Sequence, residues 1–227
     1  MTEILPAIMP QSLNDIERKV TPFVDKARTV QIDIMDGVFT KHATWPYRSD
    51  DDSFSLIESE QEGMPFWDDV DYEIDAMVAD PQKEFAKLVK IGPTRMVFHI
   101  ESLSDSIAFF ESIEPYYLET IEFGIALNTT TPIETIFPLI DGAYVKFVQC
   151  MGIEKIGYQG NPFDERVLTQ MNALLEKYPD LIISVDGSVN EDTAERLVNA
   201  GASRLVIGSA LMNATDPISE FDYFKSL

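Results

Sequence analysis

A chain of 227 residues with 45% apolar side chains can bury one barrel-sized core or two small ones. Its 39 acidic against 17 basic residues leave a formal charge of −22, which speaks against nucleic acid, because phosphate neutralisation needs clustered lysine and arginine; an anionic substrate must be held by local donors rather than by the overall field. No apolar run approaches the ~18 residues of a membrane helix, the opening MTEILPAIMP does not pattern as a secretory signal, and the single cysteine, Cys150, has no internal partner, so a reducing, cytoplasmic setting is expected.

Strand-like and helix-like segments then alternate. Glu3–Met9 reads as a first strand, and Ser12 caps a helix whose apolar face is Leu13, Ile16 and Val20. Val30–Asp33 is a second strand. It runs into QIDIMDGVF, residues 31–39, where Gln31 and Asp33 share one face and the pattern breaks at Asp36–Gly37. Residues 40–70 are expected to form a long loop with a short helix near Phe54–Ile57. Asp71–Met77 reads as a third strand, and Asp80–Pro81 caps the helix that follows. Met96–His99, Thr120–Ile125 and Tyr144–Cys150 are the next strands. Between them lie a helix opened by Ser104 or Asp105 and a short one from Thr131–Pro132 to Phe137. The amphipathic stretch Asp164–Lys177, the strand Leu181–Val185, the helix Glu191–Asn199, the strand Arg204–Ile207 and a helix near Pro217–Phe224 complete the series. Eight strand–helix units without a linker predict a single (β/α)8 barrel over residues 1–227, with an irregular insertion around 40–70. A doubly wound open sheet is the alternative, but the Gly-rich first turn of that fold is missing.

In a barrel, chemistry collects at the C-terminal ends of the strands. A carboxylate in an apolar strand end is costly unless paired or metal-bound. The chain has two such groups, Asp33 and, in ISVDG, Asp186, which are expected to face each other across one pocket. Gly187–Ser188 after the seventh strand and Gly208–Ser209 after the eighth match the loop pair that binds phosphate in many barrels. Gly157 and Gly160, in the loop after the sixth strand, could close over the same anion. Met35, Met77 and Met151 each end a predicted strand and would form an apolar ceiling. The only histidines, His42 and His99, both fall past strand ends: His99 is expected as a hydrogen-bonded pocket-wall residue and His42 as a loop residue near substrate.

Taken together these segments resemble the ribulose-phosphate 3-epimerase family. The family's His-Val-Asp-Val-Met-Asp-Gly is similar to Gln31 through Gly37, and its His-Leu-Met-Val to Asp75 through Val78. Its Phe-His-x-Glu corresponds to Phe98 through Glu101, and its Gly-x-Ala-Leu-Asn-Pro-x-Thr-Pro to Gly124 through Pro132. Its glycine-rich loop resembles Met151 through Asn161 with about one residue inserted, and its closing Val-Asp-Gly-Gly and Gly-Ser-Ala match Val185–Ser188 and Gly208–Ala210. The resemblance implies epimerisation of a ketopentose 5-phosphate through an enediolate, with Asp33 and Asp186 as acid and base and a divalent metal on both. Gln31 and Asp75 stand where the family has metal-binding histidines, and Ala7 where it has a serine. The implied metal set is Gln31, Asp33, Asp75 and Asp186, an all-oxygen site that suits Mg²⁺ or Mn²⁺ better than Zn²⁺. Expected partners are a small sugar phosphate and neither nucleic acid nor membrane; the oligomeric state, a homo-oligomer included, is open. Related barrels that decarboxylate or condense sugar phosphates carry lysine where this chain has Met35, which counts against them. A non-catalytic sugar-phosphate-binding barrel, or an epimerase of another phosphorylated sugar, is the remaining alternative.

Overall fold

Eight parallel strands pair in chain order and the eighth returns to the first, closing a barrel. The computed structural model describes residues 2–157 and 160–227; Tyr158 and Gln159, inside the glycine loop read above, lie outside them. The strands are β1 (Glu3–Ile8), β2 (Thr29–Met35), β3 (Asp71–Met77), β4 (Arg95–His99), β5 (Glu122–Leu127), β6 (Phe147–Met151), β7 (Ile182–Asp186) and β8 (Arg204–Ile207). The helices are α1 (Leu13–Val20), α2 (Phe54–Glu58), α3 (Pro81–Leu88), α4 (Ser106–Glu111), α5 (Pro115–Thr120), α6 (Phe137–Asp141), α7 (Arg166–Lys177), α8 (Ala194–Asn199), α9 (Ser209–Met212) and α10 (Pro217–Lys225). The open-sheet alternative is excluded by the β1–β8 pairing, Glu3 through Pro6 against Arg204 through Ile207.

Strand parity divides the chemistry. On β2, Ile32 and Ile34 face outward and join the main apolar core between sheet and helices, while Gln31, Asp33 and Met35 alternate to the interior. The interior is layered. At its base, Arg95 pairs with Glu3 (2.9 Å) and Glu73 (3.4 Å), and Arg204 pairs with Glu3 (3.3 Å) and Glu122 (2.8 Å). Phe147 fills the next level, where a Cβ at Gly124 would sit 2.4 Å from its ring. Above that lie the polar ends of β2, β3, β6 and β7.

Two expected strand starts are corrected. The fifth strand begins at Glu122, because Pro115 starts α5 and carries the helix through Thr120. The sixth begins at Phe147: the Tyr144 amide still closes α6 on the Leu139 carbonyl. The 40–70 segment has the expected short helix, and its first part is anchored. Thr44 donates to the Asp33 carbonyl (2.8 Å) and receives the Met35 amide (2.9 Å). Trp45 is fully buried and donates to Ser53 (3.0 Å). This part of the insertion therefore braces the end of β2. No helix among the described residues is long and apolar enough to cross a membrane.

Candidate active site

Adjacent parallel strands carry the first two acidic groups. β2 and β3 run in register with Asp33 opposite Asp75, Gln31 opposite Glu73 and Met35 opposite Met77. Asp186 ends β7, opposite Val206 on β8. One oxygen from each of Asp33, Asp75 and Asp186 lies within 4.8 Å of the others. Three carboxylates so close repel one another and each loses hydration. Burial, reinforced by the charge of Asp75 and opposed by the Gln31 amide, pushes Asp33 up to about 8. Burial and the charges of Asp33 and Asp75 hold Asp186 well above the ordinary carboxylate range, against a lowering pull from His99.

Each carboxylate has its own support. Gln31 donates to Asp33 Oδ1 (2.9 Å), and its own Oε1 is buried with no hydrogen-bond partner among the described residues. Asp75 is fully buried; His99 Nε2 lies 3.0 Å from its Oδ1, and Gln149 Nε2 donates to its Oδ2 (2.9 Å). On the far side of the imidazole, Nδ1 stands 3.8 Å from Glu101 Oε2. Burial lowers the His99 pKa, but the Asp75 carboxylate, with Glu101 and Asp186, outweighs it and raises the value.

A cavity of about 300 Å³ opens above the cluster. Asp33 and Asp186 line its floor, Ala7, Met77, Met151 and Val206 its apolar wall, and Gly157, Gly160, Gly187, Ser188, Gly208 and Ser209 a glycine-rich flank. No lysine or arginine is among its described lining residues, so the donors on offer for an anion are neutral, backbone N–H groups and side chains such as Ser209. Gly187 (φ +103°) and Ser188 (φ +54°) turn the chain sharply after β7, a geometry for which glycine is the ordinary residue. Thr193 donates to the Ser188 carbonyl (2.7 Å), and Ser188 donates to the Asn161 carbonyl, tying the β7 turn to the loop after β6. That loop also touches the loop after β2: a Cβ on Gly157 would lie 2.7 Å from Thr40 Cβ.

Of the residues picked out by sequence, the structure brings Asp33, Asp75 and Asp186 into one cluster, with the six glycine and serine positions and two of the three methionines around it. Met35 is fully buried and outside the lining, although it has the inward parity of Asp33. His99 is buried behind Asp75, not on the pocket surface, with Phe39 across it at 5.5 Å between ring centroids. His42 lies in the β2 loop, also outside the lining. Gln149 went unnoticed in the sequence, although a glutamine at inward parity in FVQCM is the same signal that drew attention to Gln31. Asn190, another lining residue, had no sequence signal beyond its place after the Asp186 turn.

Comparison with known proteins agrees with this geometry. A model of the ribulose-phosphate 3 epimerase family matches residues 3–212. The chain is 33% identical over 142 residues to the cytoplasmic isoform of ribulose-phosphate 3-epimerase from Oryza sativa subsp. japonica, covering 62% of this chain and 61% of that protein. It is 25% identical to the ribulose-phosphate 3-epimerases of Eremothecium gossypii, over 98% of this chain and 91% of that one, and of Bacillus subtilis, over 95% and 94%. Among solved structures, KGPDC from Streptococcus mutans superposes with a TM-score of 0.71 at 14% identity, covering 99% of this chain and 96% of that one. A 3-hexulose-6-phosphate synthase superposes at 0.69 and 16%, covering 99% of each chain; at these identities the likeness is one of fold. The closed barrel, the acidic cluster at its C-terminal mouth and the match over nearly the whole chain agree: the protein belongs to the ribulose-phosphate 3-epimerase family of isomerases.

Proposed function

We propose that this chain interconverts the C3 epimers of a ketopentose 5-phosphate, D-ribulose 5-phosphate and D-xylulose 5-phosphate. The observation that carries the reading is the neighbouring carboxyl pair Asp33 and Asp186, brought from β2 and β7 to the floor of one cavity. Inverting a carbon next to a ketone needs a base on one face and an acid on the other. One carboxylate takes the C3 proton. The C–H electron pair becomes the C2–C3 double bond while the carbonyl pair moves onto O2. The other aspartate, as carboxylic acid, then delivers a proton to the opposite face of C3 and the carbonyl re-forms. The pair starts and ends with one proton between them, and two carboxyls this close favour that singly protonated state.

The residues present fit a divalent cation. The donors are all oxygen, three of them carboxylates within 4.8 Å, and Gln31 Oε1 is buried without a partner among the described residues. Asp33, Asp75 and Asp186 would hold the ion, with Gln31 Oε1 as the further donor; this set suits Mg²⁺ or Mn²⁺. When bound, the ion supplies Lewis-acid charge for the oxygens that turn negative. Backbone N–H groups at Gly187–Ser188 and Gly208–Ser209, with Gly157 and Gly160 above, would take the phosphate, and Met77 and Met151 would keep water from the reacting face. The rice relative is named as a cytoplasmic isoform, which supports a cytoplasmic location here. A lone small-molecule substrate, with no nucleic acid or membrane, fits a cavity of this size in so acidic a chain.

The test is proton exchange in heavy water. The protein is incubated with D-ribulose 5-phosphate in the presence of Mg²⁺, Mn²⁺, Zn²⁺ or EDTA, and the C3 proton is followed by NMR. Deuterium entry at C3 with appearance of xylulose 5-phosphate is expected, fastest with Mg²⁺ or Mn²⁺. Absence of exchange under every metal, with the sugar phosphate still bound, would leave a binding protein or a different substrate.

A further inference from the structure

The function proposed above uses Asp75 as a carboxylate but leaves its two neighbours without a role. Asp75 is fully buried, so its orientation cannot be held by solvent. Both of its oxygens are engaged from within the barrel, Oδ1 by His99 Nε2 at 3.0 Å and Oδ2 by Gln149 Nε2 at 2.9 Å. The two partners come from different walls. His99 ends β4, the strand beside β3, while Gln149 sits on β6 and reaches across the interior. A carboxylate oxygen has two acceptor directions, so one bond to each oxygen leaves one direction on each free. With both oxygens held, rotation about the Cβ–Cγ bond would break both contacts.

Gln149 is an unusual choice for a packing residue. It is fully buried, its Oε1 has no hydrogen-bond partner among the described residues, and beyond Asp75 its amide nitrogen makes only a long contact with Met151 Sδ at 3.8 Å. A buried carbonyl left unpaired costs stability, and an apolar side chain of the same shape would avoid that cost. The residue is therefore poorly explained by folding and well explained by Asp75.

We propose that Gln149 is a positioning residue which, with His99, brackets Asp75 and fixes it as the third carboxylate presented to a cation. The inference rests on the metal-assisted reading above and adds to it an outer support from β6. Such supports of metal ligands typically contribute about 10–100-fold to metal affinity.

The test is calorimetric titration of the purified protein with Mn²⁺, using Gln149→Met, which keeps an unbranched chain of similar length, and Gln149→Leu as a second shape. Mn²⁺ affinity is expected to fall about 10–100-fold in both, while the melting temperature in EDTA shifts little, because relief of the unpaired Gln149 carbonyl offsets the donor lost to Asp75. In an Asp75→Asn background, adding Gln149→Met is expected to cost less than about twofold more, because the two residues act through one another. Wild-type Mn²⁺ affinity in a folded Gln149 variant would overturn the bracket, and so would an undiminished penalty in the Asp75→Asn background. If the wild-type protein binds no Mn²⁺, the bracket falls as well, and the heavy-water exchange run in EDTA then decides separately whether the epimerase reading stands.

Discussion

Stripped of cations, the folded chain should lose stability as pH rises from about 4 to about 8 through the acidic cluster. Burial and the neighbouring Asp75 charge hold Asp33 at about 8, against an ordinary 3.8. Between those values the folded state keeps a proton that the unfolded chain has released, so stability falls with rising pH. At ~1.4 kcal/mol per pH unit, the ceiling for Asp33 alone is about 6 kcal/mol. Water at the cavity mouth and the proton shared with Asp186 bring the expected loss to about 3 kcal/mol. A cation reverses the trend, because it binds the deprotonated cluster; at a hundred times its Kd it restores about 2.7 kcal/mol, and does so at pH 8 rather than pH 5. The assay is urea unfolding followed by tryptophan fluorescence across this range, with EDTA or Mn²⁺, for the wild type and Asp33→Asn. The many surface carboxylates contribute a slope common to both proteins, so the difference between them isolates the cluster. Identical slopes in EDTA, or equal Mn²⁺ stabilisation at both ends of the range, would refute the reasoning.

Asp33→Asn and Asp186→Asn should each slow epimerisation by about 10²–10⁴-fold, the usual contribution of an acid–base group; steady-state rates from both epimers check this, and activity within about tenfold in either variant would remove that residue from the pair. Gly124→Ala should cost about 1–3 kcal/mol by overpacking, since the new Cβ meets the Phe147 ring at 2.4 Å; chemical denaturation measures it, and an unchanged midpoint would mean the ring moves freely. Cys150 is buried and its thiol is pushed up to about 12 by that burial, so a thiol reagent should label it only after unfolding; rapid labelling of the native protein would contradict the packing around β6.

How much of this was legible in the sequence depends on the distance over which each contact acts. β3 and β8 are legible to the residue because β3 alternates acidic Asp71, Glu73 and Asp75 with apolar Tyr72, Ile74 and Ala76, and β8 is a short apolar run opened by Arg204. The expected β5 starts too early because β-branched Thr120 and Ile121 match strand composition although Thr120 still belongs to α5, and the expected β6 because aromatic Tyr144 does so in the turn after α6. Ser12, Asp80 and Asp105 cap their helices with their side chains, which is local chemistry and visible locally. Asp33 and Asp186 could be paired by motif. Gln149 could not, because strand parity says that it faces inward but not that it meets Asp75, 74 positions away across the barrel. The same gap explains His99, whose place at a strand end suggests a hydrogen-bonded pocket wall; the hydrogen bond is present, but to Asp75, which draws the ring into the interior.

The charge of the cavity ties these residues together. Asp33 and Asp186 line the floor with Asp75 clustered beside them, no described lining residue is cationic, and the chain carries −22 overall. A sugar phosphate brought into that setting adds about two more negative charges. Backbone N–H groups at the glycine-rich flank offer only partial charges, so the floor must be neutralised from within. Two devices can do so: a proton held by the Asp33–Asp186 pair, and a cation held by the three carboxylates. In the proposed reaction the proton would serve the transfer chemistry, since an acid and a base are both required. In that reaction a cation would supply charge for substrate binding and for the oxygens that turn negative. Both need Asp75 to stay in place, because it raises the pair toward the shared-proton state and completes the oxygen set. Two bonds on one buried carboxylate, from β4 and β6, are thus where the fold of the barrel and the chemistry of its mouth meet.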